Sequence, residues 1–323
     1  MKLGVLTVLF QDKPFIEALD VVKSYGLDAV EIGTGNYPGN AHCNPDELLS
    51  DSAKLHEFVQ ALEERELIVS ALSCHGNPLH PQPEIARSFH ETWRKTVLLA
   101  EQLGVECINT FSGCPGDSEQ SRYPNWVTCA WPPDYLDILK WQWEQKLIPY
   151  WQQESAFAAE HGITKIAFEM HPGFMVYNPE TLLKLRAAVG PAMGANFDPS
   201  HLIWQGIDPV TAIKVLGKAG AIFHVHAKDT YLDKSNIQVN GVLDVKPYSQ
   251  ITERSWIFRS VGYGMSEQQW RAIVSTLRMI GYDHVLSIEH EDCLASSEEG
   301  FAKAVACLKS CLFREPAAQM WWA

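Results

Sequence analysis

Four short runs in the second half of the chain each close an apolar stretch with an acid or an imidazole. IAFEMHP presents Glu169, ANFDPSH presents Asp198 with His201 three residues on, FHVHAKD presents His224 and His226, and LSIEHED presents Glu289. A carboxylate in or beside an apolar strand is costly unless it is paired or bound to a metal. Three carboxylates brought to one place repel one another unless a cation sits between them, and a divalent ion resolves that conflict. Three carboxylates and one imidazole form a mixed oxygen and nitrogen donor set. Such a set favours Mn²⁺, Mg²⁺, Co²⁺ or Fe²⁺ over a structural zinc site built from thiolates or imidazoles. Manganese is the ion expected first, with zinc as a further alternative.

Those residues converge only if strands run parallel and end on one face. A recurring unit supplies this: an amphipathic helix, a glycine, then a short apolar strand. It appears as VVKSYGLDAVEIG, AEQLGVECINTF, AAEHGITKIAFEM, VLGKAGAIFHVHA and TLRMIGYDHVLSIEH. The glycine suits the first residue beyond a helix, where a positive φ costs it little. Strands are expected near 3–9, 28–32, 67–73, 105–111, 164–169, 193–198, 220–226 and 284–289, with helices between them, for example over 52–66 and 178–190. Eight strands alternating with helices predict a (β/α)₈ barrel, a single domain over residues 1–323. No glycine-rich phosphate loop follows the first strand, which weakens an open doubly wound sheet.

Residues two apart on a strand share a face. His224 and His226 both point inward, with His226 nearer the mouth and His224 read as a hydrogen-bonded core histidine. Glu169 and His171 share the inward face, and His290 is expected to point outward with no role. Two segments exceed ordinary loop length, 111–135 after strand four and 228–265 after strand seven, and both belong at the C-terminal mouth where barrel enzymes keep their sites. His75 after strand three is a candidate acid or base, and Glu31 is expected to bind substrate or orient His75. Asn109 and Ser112 are candidates for binding hydroxyls. Lys228 and Asp229 either do the same or hold the seventh loop. Arg254 and Arg259 would suit an anionic or hydroxyl group or stand solvated, and Trp126, Trp131 and Trp256 either stack on a sugar or an aromatic aglycone or pack locally.

The formal charge of −13, with no offsetting Lys/Arg cluster, argues against nucleic acid as substrate. The eight scattered cysteines form no CxxC pair, which fits a reduced, cytoplasmic protein. The first residues do not read as a signal peptide, and no stretch is long enough to span a bilayer. The segment REPAAQMWWA is expected to dock on the barrel or on a neighbouring subunit of a homo-oligomer.

From GLDAVEIG through SIEHED the chain resembles the xylose isomerase-like barrel superfamily, which includes the tagatose 3-epimerases and inosose dehydratases. The resemblance rests on Glu169, on Asp198 with His201, on the His226-Ala227-Lys228-Asp229 run, and on Glu289. It implies that Glu169, Asp198, His226 and Glu289 bind one divalent metal and that His201 contacts substrate oxygen. It further implies an isomerase or epimerase acting on a keto-sugar or cyclitol through a metal-stabilised enediolate, with Glu169 and Glu289 as the acid/base pair. The competing outcome is a lyase using the same enediolate, which expels water from a keto-inositol or the aglycone from a 3-keto-glycoside. The group's more distant endonuclease branch needs a D-x-H after strand seven. Here Asp233 is followed by Lys234 and Ser235, so DNA repair is not expected. A non-catalytic sugar-sensing role is the reading left if no metal is bound.

Overall fold

The computed structural model describes residues 1–316, 320 and 322. In chain order the elements are β1 (Lys2–Leu6), α1 (Phe15–Ser24), β2 (Ala29–Gly33), α2 (Pro45–Ser50), α3 (Ser52–Glu63), β3 (Ile68–Ser73), α4 (Pro83–Leu103) and β4 (Cys107–Thr110). Next come α5 (Asp134–Trp141), α6 (Ile148–Glu160), β5 (Lys165–Glu169), α7 (Pro179–Val189), β6 (Met193–Phe197), α8 (Pro199–Ile203), α9 (Pro209–Lys218) and β7 (Ile222–Ala227). The chain finishes with β8 (Asp229–Leu232), α10 (Lys234–Asn240), β9 (Trp256–Arg259), α11 (Glu267–Met279), β10 (Val285–Ile288) and α12 (Ser297–Cys311).

Strands β1 to β7 and β10 close into one barrel in the order β1-β10-β7-β6-β5-β4-β3-β2, and neighbouring strands pair in parallel. This is the expected (β/α)₈ architecture. The five junction glycines do what the repeat requires: Gly26, Gly104, Gly162, Gly220 and Gly281 all adopt positive φ, between 57° and 80°. Each turns a helix end into the next strand without the steric cost another residue would carry. The first strand is shorter than expected. It stops at Leu6, and Thr7–Phe10 form a 3₁₀ turn that carries Val8 onto the mouth.

The barrel interior is polar at its C-terminal end. Glu31, Ser70, Ser73, Asn109, Asn196, His224, His226 and Ser287 are all buried there. The apolar core lies between strands and helices, where Phe168 meets Trp151 edge to face and Trp151 meets Trp93 in the same way.

The segment after β7 is not a plain loop. Its strands β8 and β9 pair antiparallel, Asp229 opposite Arg259 through Leu232 opposite Trp256. Asp229 holds this ribbon down. Its carboxylate accepts hydrogen bonds from the backbone of Thr230, Gly262, Gly264 and Met265 and from Trp270 Nε1. Of its two expected roles the structure shows the second, because both oxygens are already engaged.

Among the described residues no helix is long and apolar enough to cross a membrane. Ala317–Gln319, Trp321 and Ala323 of the tail lie outside the described residues, while Met320 and Trp322 are each 66% exposed. Asp229→Ala would leave several buried N–H donors without acceptors, each costing about 1–3 kcal/mol. We expect it to lower unfolding free energy by about 2–4 kcal/mol, measured by chemical denaturation.

Candidate functional site

Burial and strand ends place the chemistry. Glu169 is the last residue of β5, Asp198 follows β6 as the N-cap of α8, His201 lies one turn into α8, and His226 sits near the end of β7. Glu289 follows β10. One donor atom from each of Glu169, Asp198, His226 and Glu289 lies within 4.8 Å of every other. All four are thus together, as expected, with Glu289 the most exposed of them.

Each donor is aimed by a partner outside the cluster. The Asp198 Oδ1 accepts the backbone N–H of Ser200 at 2.7 Å, which leaves Oδ2 turned inward. His226 Nε2 lies 2.9 Å from Glu31 Oε1 and 3.0 Å from Oε2, so the imidazole donates from Nε2 and keeps Nδ1 for the cluster. Glu31 is fully buried and also accepts from Ser73, Ser287 and Asn109. Burial alone would raise its pKa, but the positive potential of His226 and His224 holds it well below the carboxylate range. Glu31 therefore orients His226 rather than His75, correcting the sequence expectation. Nothing in the sequence marks that pairing, because the two residues are 195 positions apart and meet across the barrel.

Within the cluster, His226 Nδ1 is 2.9 Å from Glu289 Oε2 and 3.4 Å from Glu169 Oε2. His201 Nε2 is 2.8 Å from Glu169 Oε1 and 3.3 Å from Asp198 Oδ2, and His75 Nε2 is 3.0 Å from Glu169 Oε2. Despite these distances, His75 Nε2, Asp198 Oδ2, His201 Nε2, His226 Nδ1 and Glu289 Oε2 are buried and lack an aligned hydrogen bond. The groups converge on a shared space instead of on one another. Such a cluster of orphaned oxygen and nitrogen donors fits a divalent cation.

The electrostatics agree. Burial would raise Glu169, yet His201, His226 and His75 hold it well below its ordinary value. Burial lifts Asp198 to about 6, against the pull of His201 and Lys228 and with the push of Glu169 and Glu289. Not every carboxylate in this cluster can stay ionised without added positive charge. Burial would also lower His226, but Glu31 and Glu289 raise it well above the usual imidazole range. Lys228 bridges Glu289 Oε1 at 3.2 Å and Glu291 Oε2 at 2.6 Å, with its ammonium 4.3 Å from the Phe258 ring centre.

The cluster opens into a cavity of about 660 Å³. His75, His171, His201 and Lys228 line it. Asn109 and Arg259 do not. Asn109 donates to Glu31 beneath the floor, and Arg259 pairs with Asp292 at 3.1 Å. Ser112 is likewise occupied, accepting from the backbone of Val176. Arg254 is buried over the rings of Tyr248 and Trp256, and its guanidinium donates to the Trp256 and Lys246 carbonyls. The tryptophans take local roles: Trp256 stacks on Trp204, Trp126 packs against Tyr177, and Trp131 is 75% exposed. The cavity's aromatic walls are instead Tyr37, Phe111, Tyr248 and Phe258. Composition singled out the tryptophans, but only loop geometry selects among aromatics. His290 points outward, as expected, with its ring packed on Gly300 of α12, and it also contributes to the cavity rim.

The family model for the xylose isomerase-like TIM barrel matches residues 19–311. The chain belongs to the xylose isomerase-like TIM-barrel family. This member of the family is 42% identical over 311 residues to the uncharacterized protein YfiH of Bacillus subtilis (strain 168), covering 96% of this chain and 98% of that one. Its fold is similar to the IOLI protein solved with a bound zinc atom: TM-score 0.65, 19% identity, 96% and 98% of the two chains. It is equally similar to 3-keto-D-glucoside 4-epimerase, YcjR, from E. coli: TM-score 0.65, 14% identity, 96% and 100% covered.

His171, whose Nδ1 lies 2.6 Å from the Pro172 carbonyl, has its pKa pushed down by burial to about 3. It should remain neutral while exposed imidazoles titrate. In an NMR titration from about pH 8 to 5 we expect no movement of the His171 ring signals; a midpoint near 6.5 would contradict its burial.

Proposed function

We propose that the chain is a divalent-metal-dependent isomerase or epimerase of a keto-sugar or related polyol carbonyl. The observation that carries this reading is the set of buried, partnerless donor atoms brought to one point by four strands. Glu169, Asp198, His226 through Nδ1, and Glu289 through Oε2 would hold the ion, with manganese the first choice for so oxygen-rich a set. When bound, the ion would stabilise the negative charge that a substrate carbonyl oxygen gains as the adjacent C–H loses its proton.

The protein's own groups handle that proton. His201, His226 and His75 hold the Glu169 carboxyl well below its ordinary value despite its burial, so it is ionised and ready to accept a proton. Glu289 comes from β10 and is steadied at Oε1 by Lys228, which places a second carboxylate to return a proton. Lys228, His171 and His201 face the same cavity and bind substrate oxygens. Eight unpaired cysteines support a cytoplasmic location.

Incubation of the manganese-loaded protein with keto-sugars in D₂O tests the reaction. Carbon-bound deuterium with no lost substituent is expected; a new unsaturated or cleaved product would show elimination instead. Glu169→Gln and Glu289→Gln should each slow exchange by about 10²–10⁴-fold, followed by NMR. Asp198→Asn should lower the metal content found by elemental analysis. Glu31→Gln should weaken metal affinity by about 10–100-fold, because the imidazole loses the anionic acceptor that orients it and raises its basicity. Metal uptake should release protons into a weakly buffered solution, because carboxyl and imidazole groups bind a cation only in their deprotonated forms.

A further inference from the structure

The cavity's charged groups occupy one arc of its wall, which also carries the ribbon residues Tyr248, Ile257 and Phe258. The acids and imidazoles sit on β5, β6, β7 and β10, and His75 completes them from the end of β3. The sector beyond β1 and β2 offers something else: Leu6, Val8, Tyr37 and Pro38. The barrel order puts β1 beside β10 and directly across from β5. A molecule reacting at the cluster therefore has an apolar surface beside it, continuous with the reacting centre.

This surface is built, not loose. The loop after β2 folds back so closely that a Cβ on Gly33 would lie 2.7 Å from the Gly39 carbonyl and 3.0 Å from Pro38 Cβ. Asn36 adopts a φ of 58° and donates through Nδ2 to the Cys74 carbonyl at 2.9 Å, and the Tyr37 N–H donates to the His75 carbonyl at 2.9 Å. A non-glycine residue held at positive φ costs energy that the surrounding contacts must cover, and such positions gather at ligand sites. The outcome is a tyrosine 60% exposed at the mouth, its ring 6.2 Å from Phe111, which itself packs on His75 at 4.7 Å.

We infer that this sector is a subsite for an apolar, ring-sized aglycone, so that the substrate is a glycoside carrying a ring ketone, with its oxidised sugar ring at the acid–imidazole cluster. The inference rests on the proposed reading for which part of the ligand reaches the cluster. A free sugar would carry hydroxyls against Leu6, Val8 and Pro38, which return no hydrogen bond, and burying them so is unfavourable. A cavity of about 660 Å³ is also in the range that encloses drug-sized ligands, roughly 300–1,000 Å³, and exceeds what one hexose fills. The Tyr37 ring and the Pro38 edge give a flat group a surface to stack on.

Binding of phenyl and methyl glucosides of both anomers to the metal-loaded full chain, measured by calorimetry, tests this. For at least one anomer the phenyl compound should bind about tenfold or more tightly than the methyl compound. Tyr37→Ser, at an exposed position where folding is not in question, should erase most of that ratio; Val8→Asp should do so again at the far edge of the wall. Equal affinity of phenyl and methyl compounds overturns the subsite. So does loss of both to the same degree in Tyr37→Ser, or no binding of either up to about 10 mM, which is close to the weakest useful affinity. A phenyl preference among these unreactive glucosides, with no deuterium exchange on any keto-sugar or keto-glycoside, would sink the proposed reaction and leave the subsite standing. Exchange without the preference would do the reverse.

Discussion

The mouth of this barrel depends on the hydrogen bond between Glu31 and His226. Glu31 is a fully buried carboxylate, which the interior tolerates only because an imidazole, two serines and an asparagine surround it. In return it fixes which nitrogen of His226 faces the cavity. Once Nδ1 is turned toward Glu169, Asp198 and Glu289, four donors share one small volume and the balance of charge calls for a cation. The polar interior is thus a chain of orientation running from β2 to β7 and out to the mouth.

A second layer repeats that logic nearer solvent. Lys228 spans Glu289 and Glu291, and the α8 cap uses one oxygen of Asp198 while releasing the other. In each case one oxygen or nitrogen of a bifunctional side chain is occupied by the scaffold. The other is left for chemistry, so the scaffold fixes orientation without consuming the reactive atom.

Much of this was legible in the chain. The helix–glycine–strand unit marked five of the eight barrel strands closely, because the positive φ after each helix restricts the residue type there and a buried strand must be apolar. The acids and imidazoles ending β5, β6, β7 and β10 stood out for the opposite reason, as polar residues where an apolar strand disfavours them. What stayed hidden depends on distance across the barrel. Glu31 reads as one more strand-end acid until β2 and β7 are seen to face each other. Asp229, Asn109 and Arg259 share the sequence character of site residues, yet their partners lie in the ribbon, the floor and at Asp292. The aromatic walls were misjudged because a side chain's burial in a long loop is decided by contacts that periodicity does not encode.

Strand β8 begins at Asp229, two residues past the end of β7, and only Lys228 lies between them. The roof carrying Phe258 is therefore an extension of the barrel wall, pinned at its root by five donors to one carboxylate, and has no linker on which to swing. Space above the reactive cluster is consequently set by rigid construction. Changes in what the molecule admits would come through substitution along the ribbon and the β1–β2 edge, with the machinery below left undisturbed.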